Sequence, residues 1–267
     1  MKTVWVFDDL NKEIRKQDLV MLLASMKLWS IYCPQDTRVL YCSRAVGDAL
    51  KTLGIPKLYH ERIYLSSLPK SRIDTKIFWA YPKLRVLSQI KDPITLVDHD
   101  FMAYCNLREY LNPDLVCYNY TEDARQYYPN NLNPLVRSLS YKTRWPEVSA
   151  NVSFLQLPDP AFTQFYAGTS IQIMEELSAL KAPDSRFLIF AEQMVLKHLL
   201  SDQPYQCLTK EIYICREEKF GRDLDPNGIW NQKECGEKFL HYGPIKNMWN
   251  IAESKRNLDS LKQLLNV

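Results

Sequence analysis

No stretch of this 267-residue chain approaches the roughly 18 uncharged apolar residues of a membrane span, so a bilayer-spanning helix has no candidate. The opening residues, MKTVWVFDDL, carry one lysine, a short apolar run and two aspartates, and lack the charged, long-apolar, small-residue order of a secretory signal. Paired cysteines are missing as well. The seven cysteines (Cys33, Cys42, Cys105, Cys117, Cys207, Cys215, Cys235) are odd in number and scattered, with no C-x-x-C. This argues against a disulfide framework or a structural zinc site and sets the expectation of a reduced, cytoplasmic protein. On that expectation the two Asn-x-Ser/Thr matches, at Asn119 and Asn151, are chance rather than glycosylation sites. A strong charge imbalance is absent too: Lys+Arg 34 against Asp+Glu 31 leaves a net charge of +3, unlike a dedicated nucleic-acid or membrane-surface binder. Internal repeats and low-complexity segments are also lacking.

What the chain does have is apolar bulk. At 46% hydrophobic and 12% aromatic it can bury a sizeable core. VWVF (4–7) is a short strand-like run, followed by Leu19, Leu22, Leu23, Met26 and Trp29 at helical spacing; RVLYCS (38–43) is strand-like again, with a helix and a Gly-Ile-Pro turn behind it. This strand, helix, strand, helix rhythm predicts an α/β fold with a sheet covered on both faces. Further on, Ile77, Tyr81, Leu84 and Leu87 share a helical stripe (76–90) in which Pro82 implies a kink or a late start. LVCYNY (115–120) and VSFLQLP read as strands, and the polar stretch 121–150 between them reads as a long functional loop. Two helices are expected at 169–180 and 185–200, the second apolar nearly all round and therefore buried. A short amphipathic helix, SLKQLLNV, closes the chain.

Two Asp-x-Asp pairs occur where roughly one is expected by chance, so the pattern alone is weak. Asp223 and Asp225 lie in GRDLDPNG, where short carboxylates support turns. Asp98 and Asp100 instead follow the buried run ITLV, at the carboxyl end of a strand, where open parallel sheets place their ligands. If the chain stays extended there, both carboxylates point to one side, as hard oxygen ligands suited to Mg²⁺ or Mn²⁺ on a nucleotide diphosphate. Glu192 is a second oddity. Leu188, Ile189, Val195 and Leu196 surround it at helical spacing, and a carboxylate so placed needs a partner; Lys83, Arg85 and Lys197 are the options weighed.

At this point the chain resembles the GT-A class of nucleotide-sugar glycosyltransferases, and three short segments carry the resemblance: ITLVDHD, AEQMVLKHL and FLHYGPIKNMW. The last is similar to the His-x-x-Gly-x-x-Lys-Pro-Trp region of glycogenin-like and lipopolysaccharide galactosyltransferase-like members, which are retaining enzymes. It departs in having one residue between His241 and Gly243 and Asn247-Met248 in place of Pro-Trp. The resemblance implies a Rossmann-like mixed sheet flanked by helices, with 1–110 as a nucleotide-sugar half and 111–267 as an acceptor-side half with a metal-closing segment. It implies Asp98, Asp100 and His241 as ligands of Mn²⁺ (or Mg²⁺), Lys246 on the diphosphate, and Glu192 and Gln193 against the sugar. Asp8, at the end of the first strand, is a candidate nucleoside contact, with a helix cap as the alternative. The implied donor is a nucleotide-sugar, a UDP-sugar, and the acceptor a hydroxyl of a glycan or of a hydroxylated nucleobase such as phage-type enzymes modify.

Plainer readings stand beside these. His241 and Lys246 also read as loop and surface residues, and Trp5, Phe7 and the aromatic cluster FWAY (78–81) as core, with an aromatic face over a nucleotide base as the alternative. YKTRW (141–145) and PKSRIDTK (69–76) interleave basic and aromatic residues, which leaves a non-catalytic nucleotide- or nucleic-acid-binding α/β module as the alternative.

Overall fold

A computed structural model describes residues 1–8, 14–52, 58–67, 73–123, 146–179, 186–209, 239–241, 263 and 265. Its centre is a seven-stranded sheet. In chain order the strands are β1 (Lys2–Phe7), β2 (Thr37–Cys42), β3 (Glu61–Tyr64), β4 (Ile94–Val97), β6 (Val116–Tyr118), β9 (Phe154–Leu157) and β10 (Tyr205–Cys207). Their spatial order is β10-β6-β9-β4-β1-β2-β3. β4, β1, β2 and β3 run parallel, β9 enters antiparallel between β4 and β6, and β10 is parallel to β6, so the sheet is mixed.

The strand sequences explain the layers. Val4 faces one apolar cluster and Trp5 the other; Ile94 and Leu96 are split from Val97, and Leu155 and Leu157 from Phe154, by the two-residue period of extended backbone. Because both faces are covered, these strands read as continuous apolar runs rather than alternating ones. The helix α1 (Lys16–Tyr32) covers one face with Leu19, Leu22, Met26 and Trp29. The other face is covered by α3 (Tyr81–Leu87), α4 (Pro160–Ser178) and the helical stretch 186–199. A shorter helix, α2 (Arg44–Thr52), follows β2. Among the described residues no helix is long and apolar enough to cross a membrane.

Several expectations are corrected. Of the two alternatives at Pro82 the late start is the one found, with the helix beginning at Tyr81 because Pro82 is compatible with the first turn alone; only Ile77, expected on the helical stripe, falls in the preceding turn. Helix α4 starts at Pro160, nine residues before the expected start, because Asp159 accepts from the Ala161 N–H at 2.8 Å and Pro160 occupies the first helical turn. The stretch 121–150 is not one loop: β7 (Thr121–Asp123) and β8 (Val148–Ala150) pair antiparallel at its ends. Residues 141–145, 69–72, Asp223 and Asp225 lie outside the described residues. Of the closing helix, Gln263 and Leu265 are described, both helical, with Leu265 buried in the α1-side core.

The amino ends of the parallel strands are tied by a buried polar knot. Asp36 Oδ2 accepts from Thr3 Oγ1 (2.7 Å), Trp29 Nε1 (3.1 Å) and Arg108 Nη2 (2.7 Å). Arg108 also donates to Gln156 Oε1 at 3.1 Å, and Gln156 in turn donates to the Asn112 and Leu115 carbonyls. Burial alone would raise the Asp36 pKa, but the Arg108 charge and the three donors outweigh it and hold the carboxyl below its ordinary value. Asp36→Ala leaves these donors without their acceptor and is expected to cost about 2–3 kcal/mol in a thermal or urea melt at pH 7. A carboxyl depressed in the fold contributes stability above its unfolded pKa and loses it as pH falls through the folded value. The gap between wild type and variant is therefore expected to narrow on acidification below about pH 4.

Candidate functional site

The opposite, carboxyl edge of the parallel strands carries the acidic side chains that the sequence singles out. β1 and β4 are parallel neighbours with Val4 beside Leu96, so Asp8 and Asp98 leave the sheet on the same edge. Asp98 does not continue an extended strand. Its N–H donates to the Ser153 carbonyl (2.8 Å) while its own carbonyl accepts from the Phe101 N–H (3.1 Å), folding Asp98-His99-Asp100-Phe101 into a tight turn. The extended premise that put both carboxylates on one side therefore fails; a turn, not strand alternation, sets their directions. Asp98 is partly exposed and Asp100 is buried. His99 packs edge-on against Phe7 at 4.9 Å between ring centres, with its Nε2 3.9 Å from Asp18 Oδ1.

A lysine draws the two acidic features together. Lys83, in the first turn of α3, places Nζ 3.0 Å from Asp98 Oδ1 and 3.4 Å from Oδ2, and 3.0 Å from Glu192 Oε1. The Lys83 side chain is 8% exposed and that of Glu192 2%. Burial alone would lower the Lys83 pKa, but the Asp98 and Glu192 charges outweigh it, so the ammonium stays protonated. One cation faces two carboxylates: burial pushes the Glu192 pKa up, Lys83 opposes this, and Asp98 adds to the rise. Of the three partners weighed for Glu192, the fold selects Lys83. Glu192 Oε2 is buried and has no hydrogen-bond partner among the described residues.

Glu192 and Gln193 stand on a local defect in their helix. Between α5 (Arg186–Ile189) and α6 (Val195–Leu199), residues Phe190–Met194 form a π turn in which the Val195 N–H reaches back to the Phe190 carbonyl. Such insertions concentrate at functional sites, since the extra residue re-aims side chains without ending the helix. Tyr166 of α4 donates to the Glu192 carbonyl at 3.2 Å, and the Ser149 hydroxyl bonds Gln193 Oε1 at 3.3 Å. An apolar-all-round sequence hides this register change.

A polar ladder continues from Asp98. Asn119 donates to Ser153 Oγ (2.7 Å), Ser153 Oγ bonds Asn151 Oδ1 (2.7 Å), and Asn151 donates to Glu122 Oε1 (2.8 Å). Both asparagines of the glycosylation-type matches are thus buried and hydrogen-bonded inside the fold, out of reach of a modifying enzyme. Nothing in the spacing of either triplet distinguishes them; only their placement beside Asp98 does. Among the described residues no cysteine forms a disulfide, and burial pushes the Cys33 and Cys42 thiols up to about 11.

The distant C-terminal segment also returns to the turn. β5 (Phe101–Ala103) pairs antiparallel with β11 (Phe239–His241), in a register that sets His241 opposite Phe101, one residue past Asp100. The Phe101 and Phe239 rings stack at 5.3 Å. Among the described residues no three His, Cys, Asp or Glu side chains form a cation-holding group; Lys246 lies outside them. The aromatic cluster expected in the core divides: Trp5, Phe7, Phe78 and Tyr81 are buried, whereas Trp79 is 49% exposed, because Phe78 and Tyr81 take the inward positions of that turn.

No family model matches the chain, and no curated protein matches it in sequence. Solved structures do match. A galactosyltransferase, LgtC, crystallised in complex with donor and acceptor sugar analogues, is 11% identical with a TM-score of 0.51 over 100% of this chain and 95% of that one. The glycosyltransferase GlyE of Streptococcus pneumoniae TIGR4 is 12% identical with a TM-score of 0.52; 99% of this chain covers 63% of GlyE, less than two thirds of its length. At these identities the likeness establishes the fold, which is the GT-A architecture with its mixed sheet between helices.

Proposed function

We propose that this GT-A chain is a glycosyltransferase that moves a sugar from a nucleoside diphosphate sugar, a UDP-sugar, to a hydroxyl acceptor. The observation that carries the reading is the Asp98–Lys83–Glu192 cluster at the carboxyl edge of the sheet, with one buried carboxylate oxygen that has no partner among the described residues. An unsatisfied buried acceptor costs free energy unless a ligand supplies the donor. A sugar hydroxyl is such a donor.

The donor set suits a divalent cation. Asp98 is partly exposed, Asp100 lies in the same turn, and the backbone of His241 pairs beside them. Two hard carboxylates with one imidazole would favour Mn²⁺ over Mg²⁺. Asp98, Asp100 and His241 would hold it, and when bound it would supply positive charge to the departing diphosphate.

The remaining roles belong to the chain itself. Lys83 fixes the directions of Asp98 and Glu192 from one ammonium, so the nucleotide end and the sugar end of the site cannot drift apart. Glu192 Oε2 takes a hydroxyl of the sugar and orients the anomeric carbon, while Gln193, tethered through Ser149, lines the same wall. Asp8 contributes from the neighbouring strand end on the nucleoside side, and Lys246 is assigned to the diphosphate.

Release of UDP from a panel of UDP-hexoses, with and without Mn²⁺, tests the reading. Slow, Mn²⁺-dependent hydrolysis of at least one donor is expected. No hydrolysis and no binding of any nucleotide sugar would overturn it and return the chain to the non-catalytic module.

A further inference from the structure

We propose that the exposed indole of Trp79 is a stacking platform for a pyranose ring, and that it sets which sugar the site accepts; this rests on the glycosyl-transfer reading above. In FWAY, Phe78, Ala80 and Tyr81 are 0%, 0% and 5% exposed, while Trp79 between them leaves about half its surface in water. The backbone there is not loose. The Ile77 and Phe78 N–H groups both donate to the Asp74 carbonyl, Tyr81 donates to Phe78, and Leu84 donates to Ala80. A hydrogen-bonded turn at the start of α3 therefore holds the indole out of the core.

Its position joins it to the cluster. The Trp79 ring centre is 5.9 Å from Lys83 Nζ, within the range of cation–π attraction, which steadies the ring. Lys83 is 3.0 Å from both Asp98 and Glu192, so the two legs place the indole within about 9 Å of both carboxylates. A pyranose presents weakly positive C–H groups on its faces and hydroxyls at its rim. The first suit the negative face of an indole, and the second suit Glu192 Oε2, which has no hydrogen-bond partner among the described residues. An exposed tryptophan beside a buried carboxylate offers both halves of that recognition.

Calorimetric titration of the full chain in Mn²⁺ with UDP, UDP-glucose and UDP-galactose, and with lactose and maltose in the presence of UDP, tests this on wild type, Trp79→Ala and Trp79→Phe. Trp79→Ala is expected to lose about tenfold in affinity for one sugar-bearing ligand with UDP affinity unchanged, and Trp79→Phe to keep most of it. A loss confined to the UDP-sugars puts the donor sugar on the ring; a loss confined to the disaccharides puts the acceptor there. The proposal is overturned if every sugar affinity survives in Trp79→Ala, or if UDP affinity falls in parallel, which would mark a nucleobase contact or a folding role. It is also overturned if wild type binds UDP-sugars no better than UDP and binds no disaccharide. Failure of the glycosyltransferase reading has its own signature: wild type binds neither UDP nor any UDP-sugar.

Discussion

Lys83→Met is expected to destabilise the protein by about 3–5 kcal/mol, because it removes the counter-charge of a buried carboxylate while leaving the packing of the stem nearly unchanged. For a chain of this size that corresponds to a fall in Tm on the order of 10 °C. Glu192, 2% exposed and with Oε1 3.0 Å from Lys83, supplies most of the cost; Asp98, 21% exposed, recovers some hydration. The double variant Lys83→Met/Glu192→Leu separates charge from packing. Replacing both members of the pair by apolar residues is expected to restore most of the lost stability, since no uncompensated buried charge remains. Differential scanning calorimetry of the two variants checks the argument. A Lys83→Met melt within about 2 °C of wild type would show that the cluster carries no net energy. Restored stability in the double variant should come without restored turnover, because Glu192 Oε2 is then absent.

Asp98→Ala is expected to separate activity from stability in the opposite direction. Nucleotide-sugar hydrolysis should fall at least about a hundredfold and Mn²⁺ should bind more weakly, since a carboxylate of the proposed cation site is removed. The fold should hold within about 1 kcal/mol, because Lys83 keeps Glu192 as its partner at 3.0 Å and Asp98 no longer opposes the Glu192 carboxylate. His241→Ala is the companion test. It lies opposite Phe101 in the β5–β11 pair, so a similar loss of Mn²⁺-dependent turnover is expected with a melt close to wild type. Turnover and Mn²⁺ affinity unchanged in both variants would remove these residues from the site.

How far the sequence reached can be seen from single residues. Asp98 was separable from Asp223 because ITLV before it is a buried-strand pattern, and it does sit at the carboxyl edge of the sheet. Its direction was not legible: Asp98 and Asp100 belong to a turn closed by the Phe101 N–H, a bond that alternation cannot forecast. Glu192 stood out as a carboxylate among leucines and valines, which is a local signal. Its partner was one of three lysines or arginines until the contact between α3 and the 186–199 helical stretch selected Lys83. The triplets at Asn119 and Asn151 read as chance and both asparagines are buried, whereas the aromatic neighbourhood of Trp79 suggests core and Trp79 is exposed, a difference that no local pattern encodes.

The sequence by itself determined the classes of element. Apolar runs of strand length, helical stripes and a proline at a helix start depend on neighbours a few residues apart, and those neighbours are written in the chain. It also determined that two carboxylates at a strand end and one in a buried helix needed counter-charges. Tertiary structure alone decided which charges answered them, that β9 enters the sheet antiparallel, that a π turn re-aims Glu192, and that His241 pairs its backbone beside Asp100. Apart from the π turn, whose own bond spans five residues, these depend on contacts between residues from 15 to more than a hundred positions apart, whose energies are set by burial and geometry rather than by local pattern.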